Sequence, residues 1–218
     1  ATWDEVDQRL RGIRPEHTGS LIYTSGTTGP SKGVVQPYRW MAQYVYFMRA
    51  LINQDDVIYN DLPMYHVGGA IANICRAVWA GCEVAVWNRF SPDGFWQRVA
   101  ARKVTTAILL DVMIPWLNKA PPSPDDRRNT LNKVHMQPLP LLHHDFCRRF
   151  GIDFVTAGFG QTESGAGLSV LLEETKQGEG TPDDLYRGFS HAEAAAIAQR
   201  CGMPLVPGAE ASRKGLMG

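Results

Sequence analysis

Short apolar runs alternate with longer amphipathic stretches along most of the chain. The runs are rich in Val, Ile, Leu and Thr, which favour strands, and the stretches between them place apolar residues at helical spacing. Such alternation is typical of a mainly parallel sheet with crossover helices, so the pattern predicts an α/β fold. The predicted strands are residues 20–24, 57–60, 83–87, 105–110, 131–135 and 153–157, and the predicted helices are residues 38–52, 69–80, 92–103, 112–119, 141–150 and 191–200.

Capping residues stand at the ends of several predicted helices. Ser91 precedes one helix, where its hydroxyl can accept a hydrogen bond from a free backbone N–H. Gly151 follows another and suits the left-handed backbone that ends many helices. Ser190 and Glu193 have the spacing of a capping box, which predicts a helix start immediately after Ser190.

The pattern becomes less regular after residue 172. The segment EETKQGEGTPDD is polar and contains glycine, so it favours neither a strand nor a helix. Residues 202–218 are turn-rich and predict no closing strand or helix. We therefore expect a regular core over residues 20–172 and a less regular tail over residues 173–218.

The charge balance of the chain excludes some classes of partner. Lys plus Arg and Asp plus Glu each total 22, so the overall charge favours neither a nucleic-acid backbone nor an anionic membrane surface. The most apolar stretch, residues 38–52, is interrupted by Arg39 and Arg49 and is unsuited to span a bilayer. We therefore expect no nucleic-acid partner and no transmembrane segment.

The cysteines and the N-terminal residues bear on the cellular compartment. The four cysteines are scattered and form no CxxC pair, which argues against a zinc site and a redox dithiol. The N-terminal sequence ATWDEVDQRL is acidic and polar, whereas a secretory signal is basic and then apolar. We therefore expect a cytoplasmic protein with reduced thiols.

The segment LIYTSGTTGPSKGVV, residues 21–35, is rich in hydroxyl groups and glycine. Its glycines allow backbone N–H groups to turn toward an anion, its hydroxyls add donors, and its lysine adds a positive charge. These groups suit a polyphosphate. The candidate phosphate-binding residues are Thr24, Ser25, Gly26, Thr27, Thr28, Gly29 and Lys32.

Two other interpretations of this segment fit the sequence less well. The P-loop pattern GxxxxGK[ST] would require Gly at position 31 and Ser or Thr at position 33, but the chain has Ser31 and Gly33. A flexible hairpin with a solvated Lys32 is the common outcome for a short glycine-rich loop. The full string favours a phosphate loop over that hairpin.

The string resembles the signature YTSGTTGxPKG of the adenylate-forming superfamily, which comprises acyl-CoA and aryl-CoA synthetases, luciferases and peptide-synthetase adenylation domains. It departs from the signature at Ser31, where the family usually carries proline. A second segment, AGFGQTESG at residues 157–165, resembles the family motif GYGxTE. Two motifs in the family order strengthen the resemblance.

The resemblance assigns roles to residues of the second motif. It places Phe159 against adenine, Thr162 near the α-phosphate and Glu163 at a Mg²⁺ ion. A flat ring, a hydroxyl donor and a hard carboxylate suit those three roles. Lys32, Thr162 and Glu163 are thus the candidate catalytic residues, and further nucleotide contacts are expected from Gly158, Gly160 and Gln161.

A third segment bears on the acid substrate. LPMYHVGGA, residues 62–70, resembles the stretch that borders the acyl pocket, so Tyr65, His66 and also Gly165 are candidate substrate contacts. Amino-acid-activating relatives generally carry aspartate at the position of His66, so this histidine favours a simple acyl or aryl acid.

The segment HMQPLP, residues 135–140, departs from the family pattern GGAPLP, which packs beside adenine. Larger side chains replace both glycines here, and Gln137 is the candidate nucleotide contact. This segment and residues 95–127 are similar to crotonobetaine/carnitine–CoA ligases. In the next helix, His143 and His144 diverge by about 100° as neighbours, so we expect an exposed helical face there and no metal site.

The resemblance implies an AMP-forming acyl-CoA synthetase that acts in fatty acid metabolism on a small carboxylic acid, with ATP, Mg²⁺ and coenzyme A. Family members are much longer, so the chain would be an incomplete N-terminal domain without the C-terminal catalytic domain, and we expect it to bind ATP weakly alone. An adenylation domain that loads a carrier protein and a non-catalytic binding module are the alternatives. The acid and the oligomeric state stay open.

Overall fold

The computed structural model describes residues 2–25 and 29–214, which form nine strands, nine α-helices and one π-helix. In chain order these are α1 (Trp3–Leu10), β1 (Thr18–Thr24), β2 (Lys32–Pro37), α2 (Tyr38–Tyr44), α3 (Tyr46–Ala50), β3 (Val57–Asn60), the π-helix (Gly68–Cys75), α4 (Arg76–Ala80), β4 (Glu83–Val86), α5 (Phe95–Arg102), β5 (Thr106–Leu109), α6 (Met113–Leu117), β6 (Lys133–Met136), α7 (His143–Phe150), β7 (Phe154–Gln161), β8 (Gly165–Glu173), α8 (His191–Arg200), β9 (Leu205–Pro207) and α9 (Gly208–Lys214).

Seven strands form one sheet in the order β4-β3-β5-β6-β7-β8-β9. All neighbouring pairs are parallel except β7 and β8, which are antiparallel. The mainly parallel α/β fold predicted from the apolar pattern is thus confirmed. The six predicted strands are present, β3 with the predicted ends and the other five with shifted ends. β7 extends four residues beyond its prediction, to Gln161.

Alternate residues of the strands serve two separate cores. Val155 and Leu172 face the core built with α5, α6 and α7, whereas Phe154 and Leu171 face a second core built with α8. Met48 and Ala72 pack on Ile108 on that second side of the sheet. Helices therefore cover both sides of the sheet, as expected for buried parallel strands.

The remaining two strands form a separate antiparallel hairpin. Thr24 of β1 stands opposite Lys32 of β2, so both residues lie at the base of the loop that joins the strands. The sequence analysis did not predict β2. Ile22 of the hairpin packs with Trp40 of α2 in a small core of its own.

Some predicted helix boundaries are wrong. The helix expected over residues 38–52 divides at Val45, which has φ −95° and ψ 0°. Ser91 does not cap a helix: α5 begins at Phe95, and the Ser91 hydroxyl accepts from the N–H of Gly94 in the preceding turn at 3.2 Å.

Other capping predictions are confirmed. Gly151 ends α7 with φ 70°, and the Ser190–Glu193 capping box starts α8. The expected absence of a closing strand or helix is wrong, because β9 adds a parallel edge strand beside β8 and α9 follows it. Nothing in the described ranges is a helix long and apolar enough to cross a membrane.

The exposed face expected at His143 and His144 is also wrong. Both rings contact the buried carboxylate of Glu174: His143 Nδ1 lies 2.7 Å from Oε1, and His144 Nδ1 lies 2.6 Å from Oε2. Neighbouring side chains on a helix point in different directions, but each ring contacts a different oxygen of the same carboxylate. Glu174 follows β8, so these contacts attach α7 to the end of that strand.

Candidate active site

The hydroxyl-rich hairpin and the acidic turn lie side by side. The Thr24 hydroxyl donates to Glu163 Oε1 at 3.5 Å, across 139 positions of sequence. The Gln36 side chain donates to the Thr162 carbonyl at 3.2 Å and accepts from the Ser20 hydroxyl at 2.8 Å. Because Gln36 is fully buried, these bonds are shielded from water and connect β2 firmly to the turn.

The predicted phosphate loop is described only at its two ends. Ser25 and Gly29 are exposed there, and Lys32 is exposed at the first position of β2. Gly26, Thr27 and Thr28 lie outside the described residues. The loop's base therefore stands on the hairpin next to Glu163.

A cleft of about 450 Å³ opens where β5, β6 and β7 end. In open parallel sheets ligands bind in the crevice at the carboxyl ends of the strands, and this cleft has that position. Its polar part is formed by the predicted nucleotide residues Gln137, Gly160, Gln161 and Thr162, together with His135. The rest of its lining is Tyr44, Met48, Leu62, Pro63, Tyr65, His66, Val67, Gly68, Ala72, Ile108 and Leu110.

A hydrogen-bonded wall of this cleft is formed by His135, which replaces a family glycine, and Gln137, which replaces the family alanine. Gln137 donates to the Gly160 carbonyl at 3.1 Å, and His135 Nε2 lies 3.2 Å from Gln137 Oε1. His135 Nδ1 lies 3.1 Å from the Thr156 hydroxyl. The segment thus connects β6 to the nucleotide motif on β7.

His135 is uncharged in this wall. Its burial lowers the pKa of the imidazole to about 4, and the positive charge of Arg76 acts in the same direction, while the contacts with Gln137 and Thr156 oppose it. At neutral pH one ring nitrogen therefore donates and the other accepts.

The other residues of the second motif surround the cleft. Phe159 is 42% exposed and lies with Gly158 on a small neighbouring depression. A Cβ at position 158 would collide with the Leu168 carbonyl of β8, which explains the glycine there. Gly165 has φ 77° and lies against the Trp40 indole, and it does not line the cleft.

The segment between β3 and the π-helix brings two predicted substrate residues to the cleft. His66 Nδ1 accepts from the Gly68 N–H at 3.0 Å, so in the neutral ring the proton is on Nε2. Tyr65 is 80% exposed at the rim. His66 therefore offers one N–H donor at the cleft.

A family model described as AMP-binding enzyme matches residues 2–212. The chain belongs to the AMP-binding enzyme family. It is 30% identical over 161 residues to crotonobetaine/carnitine–CoA ligases of Escherichia coli and Shigella sonnei, and the match covers 72% of this chain and 31% of each relative. The similarity to these ligases expected from the sequence is confirmed, and the chain spans about a third of their length.

Solved structures of acyl-CoA synthetases share the fold. O-succinylbenzoate coenzyme A synthetase from Bacillus subtilis, in complex with ATP and magnesium ion, superposes with a TM-score of 0.59 at 26% identity, covering 74% of this chain and 34% of that one. A malonyl-CoA ligase with methylmalonyl-CoA and AMP bound superposes with a TM-score of 0.63 at 25% identity, covering 72% of this chain and 36% of that one.

Several residues of this candidate site gave no signal in the sequence. Gln36 gave no motif signal, although a polar residue after two valines is a candidate for a buried hydrogen bond. Tyr44, Met48 and Ile108 read as ordinary core residues, because their apolar side chains follow the same periodicity as the core. Only the packing of α2 and α3 on β5 shows that they line a cleft.

Proposed function

We propose that the protein activates a carboxylic acid as its acyl-adenylate and then transfers the acyl group to the thiol of coenzyme A. Membership of the AMP-binding family supports the adenylate. The observation that carries the proposal is the contact of the hairpin with the acidic turn, Thr24 with Glu163 and Gln36 with Thr162, beside one cleft. A nucleotide bound there would meet both motifs at once.

The proposed reaction has two steps. In the first, a carboxylate oxygen of the acid attacks the α-phosphorus of ATP, the bond to the bridging oxygen breaks, and pyrophosphate leaves. In the second, the sulfur of coenzyme A attacks the acyl carbonyl carbon, AMP leaves, and the thiol proton passes to solvent. A carboxylate alone has no good leaving group, so the first step makes the second possible.

The residues of the chain would position the reactants and balance charge. Lys32 and the loop hydroxyls would neutralise the charge that builds on the departing pyrophosphate. The Thr162 hydroxyl would donate to the α-phosphate, and Phe159 and Gln137 would contact the base. The carboxylate of the acid would approach from the His66 side of the cleft.

The donor set fits a magnesium ion held together with phosphate oxygens. In the described residues no three His, Cys, Asp or Glu side chains converge as a metal cage. Mg²⁺ is commonly bound by one or two carboxylates plus substrate phosphates, and Glu163 supplies one exposed carboxylate beside the loop. When bound, the ion would neutralise charge on the phosphates.

The ligands of the two solved relatives support this choice of cofactors. One holds ATP with magnesium ion, and the other holds a CoA thioester with AMP. We infer that this protein also uses ATP, Mg²⁺ and coenzyme A.

Acid-dependent pyrophosphate release by the full-length protein tests the proposal. A panel of short, medium, branched and aryl acids with ATP and Mg²⁺ should include at least one that releases pyrophosphate, and added coenzyme A should then yield its thioester. Release without a thioester would instead favour a carrier-protein acceptor. ATP binding with no release for any acid would favour a non-catalytic binding module and contradict the proposal.

A further inference from the structure

The lining of the cleft contains no side chain with a permanent charge. Of the sixteen described residues that line it, none is Asp, Glu, Lys or Arg. Its inner part is apolar, where Met48, Ala72 and Ile108 meet between the sheet and the helices above it. A charged group placed there would lose its hydration without gaining a partner.

Three carboxylates stand next in sequence to lining residues. Asp111 follows Leu110 at an exposed position, where its Oδ1 accepts from the Val112 N–H at 2.7 Å. Glu163 accepts from Thr24 on the hairpin side. Asp61 is buried and interacts with the Tyr59 hydroxyl and the nearby Arg98 guanidinium, and burial raises the pKa of its carboxyl. Tyr59 belongs to the opposite core of the sheet. None of the three carboxylates lines the cleft, so none lies against its apolar inner part.

The two histidines of the cleft offer hydrogen-bond donors and acceptors. His135 is held neutral between Thr156 and Gln137. His66 uses Nδ1 as an acceptor for the Gly68 N–H, which requires a ring nitrogen without a proton. Both rings suit polar, uncharged contacts.

Aromatic rings do not form a cage for a cation here. Recognition of a quaternary ammonium relies on ring faces that surround the charge. The Tyr44 ring is stacked on Trp40 with centroids 4.7 Å apart, so one of its faces is covered. Tyr65 is largely exposed at the rim. Among the described lining residues these two are the aromatic rings other than histidine.

We propose that the acid which the protein activates carries no charge beyond its carboxylate, and that acids with an ammonium or quaternary ammonium group are rejected. The inference rests on the proposed function, because it names the class of acid for that site. An unpaired charge moved from water into an apolar cleft is strongly disfavoured, whereas a hydrocarbon group of the same shape gains from burial.

Isosteric pairs of acids test this inference in the full-length protein. Each pair exchanges a trimethylammonium group for a tert-butyl group of similar shape. The pairs are trimethylglycine with 3,3-dimethylbutanoate, γ-butyrobetaine with 5,5-dimethylhexanoate, and para-trimethylammoniobenzoate with para-tert-butylbenzoate. Pyrophosphate release is measured for each acid beside the broader neutral panel. We expect kcat/KM at least about 100-fold higher for the neutral member of every pair that is used.

Each outcome decides something different. Preference for neutral acids in the pairs, or use of neutral acids of the panel while all cationic acids fail, supports the inference. A cationic member used as well as its neutral partner overturns the inference but leaves the proposed function standing. No release with any acid overturns the proposed function itself, and the inference with it.

A substitution at the cleft rim provides a second arm. His66→Asp places a carboxylate at an exposed position that borders the cleft. The ratio of kcat/KM for the neutral acid to kcat/KM for its cationic partner should therefore fall at least about 10-fold. Gln199→Asp adds the same charge on exposed α8 and should leave the ratio of the two acids unchanged. An unchanged ratio in His66→Asp would contradict a cleft that selects by charge.

Discussion

The two walls of the cleft are built in different ways. The polar wall consists of His135, Gln137 and the turn around Thr162. The hairpin base adjoins this wall outside the cleft lining and is attached to it by hydrogen bonds such as that of Gln36. The apolar wall consists of α2, α3, the π-helix and β5, whose side chains Met48, Ala72 and Ile108 also belong to a hydrophobic core. The polar wall offers donors and acceptors, with the charged Lys32 and Glu163 on the adjoining hairpin and turn, and the apolar wall offers shape.

The difference teaches where a substitution should act. An exposed residue of the polar wall or of the adjoining hairpin contributes little to folding, so its replacement should change the reaction and leave stability intact. A residue of the apolar wall serves as core and as pocket at once, so its replacement should change both. Substitutions in the full-length protein test this division.

Lys32→Met should have the largest effect on the reaction. Loss of a positive charge beside the departing pyrophosphate should lower the rate of pyrophosphate release roughly 100- to 1,000-fold, the size seen when one transition-state donor is removed. Because Lys32 is exposed, the free energy of unfolding should change by less than about 0.5 kcal/mol.

The control for this prediction is Lys119→Met, which removes a lysine from an exposed position after α6 and should leave the rate unchanged. Release rates at saturating ATP and urea denaturation measure the two quantities. A Lys32→Met protein that keeps its rate would remove the phosphate loop from the proposed mechanism.

Ile108→Ala should change both stability and selectivity. Ile108 is 7% exposed and packs on Met48 and Ala72, so the shortened side chain should lower the free energy of unfolding by about 2 kcal/mol, the low end for a buried Ile→Ala change because the space opens to the cleft. The enlarged cleft should shift the acid preference toward bulkier neutral acids.

Val86→Ala is the matched control, since this strand residue is 57% exposed and lies outside the cleft. Chemical denaturation and the acid panel provide the measurements. If Ile108→Ala altered neither selectivity nor stability, the apolar wall would not have the double role described above.

Much of the fold could be predicted from the sequence, because buried strands such as β3 and β5 are short and mainly apolar runs. The hairpin strand β2 was missed, since its valines adjoin a glycine-rich loop and its pairing with β1 sets its length. The edge strand β9 has three residues and is held by β8 rather than by its own pattern.

The candidate site divides in the same way. Lys32, Thr162 and Glu163 were predicted because phosphate chemistry limits which residue types can stand in a motif. Ile108 of the apolar wall was not, because core and pocket side chains have the same periodicity. His143 was misjudged because its partner, Glu174, comes from a distant strand end that local spacing does not reveal.

Gln36→Leu should lower both the stability of the protein and the rate of the reaction. The change removes the bonds to the Thr162 carbonyl and the Ser20 hydroxyl at a buried position, so the free energy of unfolding should fall by about 1–2 kcal/mol. The rate of pyrophosphate release should fall roughly 10-fold, because Thr162 loses the partner that holds its backbone.

Gln43→Leu on the exposed face of α2 is the control and should leave both quantities unchanged. Denaturation and release kinetics measure them. If stability fell and the rate did not change, Gln36 would have only a structural role. The hairpin would then not be needed to position the turn around Thr162 for the reaction.

The smallest effect is expected from His135→Gln, as a change in the pH dependence of stability. The folded-state pKa of His135 is about 4, below the ordinary 6.5, so between these pH values the unfolded chain binds more protons than the folded chain. The contribution of His135 is complete above pH 6.5 and is lost as pH falls toward 4. Through His135 alone, the free energy of unfolding can change by at most about 1.4 kcal/mol per pH unit. Partial exposure of the ring should reduce this slope to roughly 0.5 kcal/mol per pH unit.

The glutamine variant keeps a polar side chain beside Gln137 and Thr156 but does not titrate, so its stability should fall less steeply over this range. Urea denaturation at several pH values gives the difference between the two proteins, in which the contributions of other titrating groups cancel. Parallel curves for the parent and His135→Gln would mean that His135 is as well solvated folded as unfolded, and the wall at Gln137 would then be open to water.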